Sequence, residues 1–125
     1  MTTRRLFTSL LCGAFGVLLA SLGLLQAQEA PKPYQNPYQK VLVDNAFVRV
    51  LEVNLPPGVF EEKHSHPHGI QIAMSDYDNE VKTFPDGQVT KAHHPIGEVK
   101  WQEPVTHEVR NTGTTVQHVI RIELK

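Results

Sequence analysis

Residues 56–71 read PPGVFEEKHSHPHGIQ. The Pro-Pro-Gly opening is a turn: proline presets φ, and glycine takes the positive φ that a tight reversal needs. His64 and His66 follow, two residues apart. On a strand they point to the same face, where their rings converge on one ion. Glu62 shares that face. It reads either as the partner that orients an imidazole or as a solvated charge beside Glu61 and Lys63.

Outward from this stretch the chain is a series of short strand signals, with no convincing helix. Residues 41–53, VLVDNAFVRVLEV, form two β-rich runs around Asp44-Asn45. Residues 70–75 are apolar enough for a strand. Residues 80–84 and 88–92 flank Pro-Asp-Gly, a hairpin signal. Residues 99–102, 107–111 and 116–124 complete the series. In the last run Val116, His118, Ile120, Ile122 and Leu124 alternate with Gln117, Arg121 and Glu123, the period of a half-buried strand. Seven or more such strands predict an all-β sandwich or barrel, because two layers are needed to bury their faces.

The chain has 125 residues and a formal net charge of −1, the size of one domain. Arg4 and Arg5 precede a run free of charged residues from 6 to 28, the layout of an export signal. Residues 1–27 are expected to be a signal peptide cleaved after Leu25-Gln26-Ala27. Thr3-Arg4-Arg5-Leu6-Phe7 also resembles the twin-arginine export motif. A retained membrane anchor is the competing reading, since the run is long enough to span a bilayer. Cleavage takes Arg4, Arg5 and no acid, so ten basic residues face thirteen acidic ones and the charge becomes −3. No basic patch points to nucleic acid. The single cysteine, Cys12, leaves with the signal, so the mature chain has no disulfide and no thiolate ligand. Residues 28–40, with three prolines, read as an extended lead-in. The expected location is periplasmic or secreted, with no membrane contact after cleavage.

All seven histidines lie beyond the signal. His107 opens a later strand run with Val109 and Asn111 on its face. Three imidazoles from two strands, His64, His66 and His107, make an open metal site with room for water or substrate. His68, after Pro67, reads as a rim residue. His93 and His94 read as a solvated pair in a polar turn. His118, on the apolar face of the last run, reads as a core or barrel-lining residue. Trp101, alternating with Val99, reads as core. Tyr34 and Tyr38 read as a dimer arm or as loop.

These residues carry a family resemblance. PPGVFEEKHSHPHGIQ resembles the first cupin motif, in which a Pro-Gly pair is followed after five residues by H-x-H and, after four more, by Glu. Gly58, His64 and His66 fit it, and Gln71 stands at the glutamate position. Residues 97–111, GEVKWQEPVTHEVRN, resemble the second motif through Gly97, Pro104, His107 and Asn111. They lack the usual glycine between that proline and histidine, and the spacing there is shorter. The resemblance spans residues 41–124 and is closest to small single-domain cupins, some named for β-alanine degradation. It implies a cupin-type jelly-roll β-barrel over residues 41–125. It further implies a divalent transition metal (Fe, Mn, Zn or Ni) held by His64, His66 and His107, with Gln71 as a fourth ligand, a place His68 could also take. A homodimer is expected as well.

Glutamine offers a neutral oxygen where glutamate offers a charged one. Four neutral ligands leave the ion its full 2+ charge, a weaker hold on the metal but a stronger pull on an anionic substrate. Two functions remain open. One is an exported Fe(II)-dependent oxygenase acting on a small organic acid. The other is a non-catalytic cupin that binds a small molecule or metal. A barrel that has lost its metal is the structural alternative.

Overall fold

The computed structural model describes residues 36–125. The expected signal peptide, most of the lead-in and Tyr34 lie outside them. Nine strands follow in chain order: β1 (Gln39–Asp44), β2 (Val48–Leu55), β3 (Phe60–His66), β4 (Gly69–Ala73), β5 (Tyr77–Phe84), β6 (Val89–His94), β7 (Val99–Gln102), β8 (Val105–Asn111) and β9 (Gln117–Leu124). β1 thus takes up the last two residues of the expected lead-in. Among the described residues no helix is long and apolar enough to cross a membrane.

The strands form two antiparallel sheets, one in the order β1-β2-β9-β4-β7 and the other β3-β8-β5-β6. The all-β jelly-roll expected from the sequence is the architecture observed. Tight turns join the strands where glycine adopts positive φ, at Gly58 (75°), Gly87 (70°) and Gly97 (82°). Gly69 serves a different purpose. A Cβ there would sit 2.3 Å from the Ile122 carbonyl oxygen, so β4 packs on β9 at a distance only glycine permits.

Asn111 anchors the barrel end. It is fully buried, its amide nitrogen donates to the carbonyls of Leu55 and Thr115, both at 2.8 Å, and its side-chain oxygen accepts from Gly113 N–H at 3.0 Å. This residue of the second motif therefore ties the end of β2 to the loop between β8 and β9.

The interior is mostly polar. The buried apolar side chains are Leu51, Val53, Leu55, Ala73, Tyr77, Val109 and Val119, whereas eleven polar or charged residues are buried. That balance corrects the reading of β9. Gln117, Val119, Arg121 and Glu123 point inward and are buried, while His118, Ile120 and Ile122 are half-exposed and Leu124 is exposed. The alternation of period two is as expected, but its polar face is the inner one. Each inner polar group finds a partner there: Gln117 accepts from Asn79, Arg121 donates to Gln102, and Glu123 accepts from His66. The apolar face lies outside, where Val50, Ile122, Ile70 and Trp101 stand in one row across β2, β9, β4 and β7. Trp101 is accordingly 54% exposed and not core. His118, on the same outer face, pairs with Glu52 at 3.0 Å.

Candidate metal centre

Neighbouring strands β3 and β8 supply all three clustered histidines. His64 sits opposite His107 in the ladder, and His66 lies two residues along β3. Their rings are 4.6–5.3 Å apart between centroids. One nitrogen from each falls within 4.8 Å of the others, and all three residues are buried. The structure thus brings together the three histidines that the sequence nominates.

Hydrogen bonds preset two of the rings. His64 Nδ1–H donates to the Glu62 carbonyl at 2.6 Å. His66 Nδ1–H donates to the Glu123 carboxylate at 2.5 Å. A neutral imidazole with its proton on Nδ1 presents its lone pair at Nε2. The Nε2 atoms of His64 and His107 lie 3.1 Å apart. Two donors on one ion with bonds of ~2.1 Å stand roughly 3–3.5 Å apart, so the spacing fits a shared ion.

Electrostatics favour the same state. Burial pushes the His66 pKa below its ordinary value despite the opposing bond to Glu123. Burial, aided by His64 and His66, pushes His107 down to about 3. Neutral imidazole is the ligating form. Burial raises Glu123, but the His66 bond and the charges of His66, Arg121 and Arg49 outweigh it and hold the carboxyl below its usual range. His66 with Glu123 behind it is the carboxylate–histidine arrangement that fixes a ligand's tautomer and orientation. Three imidazoles without thiolate suit a borderline transition ion better than calcium or magnesium.

Two cavities flank the cluster. One of about 280 Å³ is lined by His64, His66, Arg49, Glu123 and Gln39. The other, about 240 Å³, is lined by His107, Gln71, His94, Lys100 and Gln102. Gln71 therefore lies on the inner face near His107, and its amide nitrogen donates to the Tyr77 hydroxyl at 2.9 Å. Burial pushes that hydroxyl up to about 12, so it stays neutral.

Several side chains depart from expectation. Glu62 does not share the face of His64 but is exposed, the solvated charge of its two readings, and Glu61 is the buried carboxylate, 4% accessible. The cause is a bulge: three steps on β3, from Glu61 to His64, match two on β8, from Val109 to His107. The extra residue shifts the side-chain alternation by one. His94 is not solvated. It is 7% exposed, stacks on Tyr77 with centroids 4.6 Å apart, and donates from Nδ1 to Glu98 at 2.5 Å. His93, one residue earlier, faces out and pairs with Asp78 at 2.9 Å. His68 stands at the rim as expected, exposed, stacked on Trp101 and 3.0 Å from Glu103. Sequence reading missed Arg49, Glu61, Arg121 and Glu123. The strict alternation of β9 was the one signal able to reveal the last two.

Solved structures share this architecture. A cupin domain from Bordetella pertussis Tohama I superposes with a TM-score of 0.64 at 28% identity, covering 70% of this chain and 91% of that one. The fold is that of a cupin. A double-stranded β-helix domain protein from Klebsiella pneumoniae has a TM-score of 0.56 at 20% identity, over 74% of this chain and 81% of that one. A cupin superfamily protein from Desulfitobacterium hafniense has a TM-score of 0.52 at 9% identity, over 69% and 74%. At such identities the last two speak for the fold alone. No family model and no curated protein matches the chain. In this cupin barrel the three histidines lie inside, between the two sheets.

Proposed function

We propose that this chain is an exported, metal-binding single-domain cupin that uses Fe(II) and O₂ to act on a small organic acid. The observation that carries the metal reading is the convergence of three buried imidazoles, two of them held in place through Nδ1. When bound, Fe(II) supplies access to O₂ and open positions for a chelating acid. The chain's own residues hold and orient: Glu123 fixes His66, the Glu62 carbonyl fixes His64, and the surrounding sheets exclude bulk water. Gln71, the fourth ligand that the resemblance implies, lines the cavity on the His107 side, with its amide nitrogen bonded to Tyr77.

An acidic ligand is supported by the cations beside the cluster. Arg49 lines the His64–His66 cavity, and its buried Nε makes no hydrogen bond. Lys100 lines the cavity on the His107 side. Export rests on the basic and apolar pattern of residues 1–27. A homodimer is supported by the apolar row on the outer sheet face, with Val43 at the β1 edge 45% accessible and Val99 and Trp101 at the β7 edge 63% and 54%.

The test is metal content of protein purified from the export compartment, beside His64→Ala and His107→Ala, followed by O₂ uptake with a panel of small acids. Near-stoichiometric metal that both variants lose, together with acid-dependent uptake, is the expected result. Metal without uptake across the panel, but with thermal stabilisation by an acid, would favour a binding protein. Gln71 in place of glutamate is the observation on that side. No metal after reloading would overturn both.

A further inference from the structure

Glu61 places its carboxylate on the Nε2 side of His64, whereas Glu123 stands behind His66 at Nδ1. Glu61 lies three residues before His64, yet the β3 bulge turns both into the interior. Its Oε1 is 3.7 Å from His64 Nε2, and both side chains are almost fully buried, at 3% and 4%. That separation is close to the roughly 3–3.5 Å between two donors on one ion. Position 71, where the cupin motif places its acid, carries only a neutral amide engaged with Tyr77.

We propose that Glu61 is the carboxylate ligand of this metal centre, so that the site is three histidines and one glutamate with the acid drawn from β3 instead of β4. This inference rests on the metal-binding reading above.

Two observations argue that the position is built. Gln39, the first residue of β1, donates from Nε2 to Glu61 Oε1 at 2.6 Å. Asn36 donates to the same oxygen from its side-chain nitrogen. Asn36 is itself held, since its side-chain oxygen accepts from Tyr38 N–H at 2.9 Å. Both donors are neutral amides, which orient a carboxylate and leave its charge in place. A buried charge calls for a compensating one. Arg121 supplies part of it through space, being electrostatically coupled to Glu61. An ion on His64 Nε2 supplies the rest. Glu61 thereby removes one unit of the 2+ charge that a wholly neutral ligand set would leave on the ion. The segment leading into β1 closes the site by positioning that carboxylate.

The probe is Co(II) alone, added to the full mature chain, with affinity from competition titration and coordination from the visible d–d bands. Glu61→Gln keeps the shape and removes the charge. It is expected to weaken Co(II) binding at least ~100-fold, the upper range for losing even an orienting partner, and to change the d–d spectrum. Gln39→Ala is expected to weaken binding about tenfold with the spectrum nearly unchanged. Glu61→Asp keeps the buried charge but retracts it by one methylene, and serves if the glutamine variant fails to fold. It is expected to bind weakly with an altered spectrum. Wild-type affinity and spectrum in a folded Glu61 variant would overturn the proposal while leaving the three-histidine site intact. No Co(II) binding by the wild-type protein would overturn the metal reading itself, and this proposal with it.

Discussion

His66 Nδ1 lies 2.5 Å from the Glu123 carboxylate, although the two residues are 57 positions apart and on different sheets. The bond joins β3 to β9 across the interior and decides which nitrogen of His66 faces the cluster. Glu123 also lies 3.5 Å from the Arg121 guanidinium, so one carboxylate serves a histidine and a buried arginine together.

Replacing that carboxylate tests its orienting role. Glu123→Gln retains size but offers His66 Nδ1–H a weaker acceptor, and its amide end can turn the ring. Metal affinity is expected to fall about 10–100-fold, the range for partners that orient a ligating histidine. Competition titration with Zn(II) at neutral pH measures it. Unchanged affinity would show that the ring is held by packing alone.

Acid is expected to weaken the metal-free fold. His66 and His107 have folded pKa values below the ordinary 6.5, about 3 for His107. Between those values the unfolded chain binds more protons than the folded one, so stability rises with pH there. Their contribution is complete above ~6.5 and is lost as pH falls toward the folded values. Urea midpoints in chelator at pH 7.5 and 5.0 report it. A lower midpoint at pH 5.0 is expected, with a smaller difference in His107→Gln. Equal midpoints in the wild-type protein would contradict the burial-driven shift.

Gly69→Ala is expected to cost about 1–3 kcal/mol, the range for forced overpacking. Its new Cβ meets the Ile122 backbone oxygen at 2.3 Å, and a paired strand cannot step aside. Urea unfolding gives the value. A loss below ~0.5 kcal/mol, the size of an ordinary surface effect, would mean that β4 and β9 separate easily.

Asn111→Ala removes three hydrogen bonds from a fully buried side chain. It leaves the Leu55 and Thr115 carbonyls without this donor, a loss of about 3 kcal/mol. Metal affinity in the folded fraction is expected to stay within a few-fold of wild type. A large loss of affinity with intact stability would assign Asn111 to the centre instead of to the barrel end.

Much of the architecture was legible from spacing. The turn at residues 56–58, the hairpin around Pro-Asp-Gly and the runs at 41–53, 99–102 and 116–124 all lie where strands or turns form. His64, His66 and His107 were legible because period two places the first pair on one face and a later strand supplies the third. What misled was the assumption that the apolar face of a strand is the inner one. In β9 the inner face carries Gln117, Arg121 and Glu123, because a cavity that houses histidines solvates these groups better than an apolar core would. The same assumption sent Trp101 and His118 inward, while reading His93 and His94 as a polar turn sent His94 outward. Glu61 was hidden by the bulge, which no periodicity shows.

The sequence by itself determined that residues 41–124 are all-β, that two histidine-bearing motifs lie in order along them, and that the single cysteine, Cys12, lies far from both motifs along the chain. These follow from residue type and short-range period, which act within a few residues. Only the tertiary structure decided which faces turn inward, that Glu123 backs His66, and that Glu61 rather than Glu62 stands beside His64. Each depends on strand register and on partners tens of residues away, and a one-residue shift in register exchanges the buried face for the exposed one.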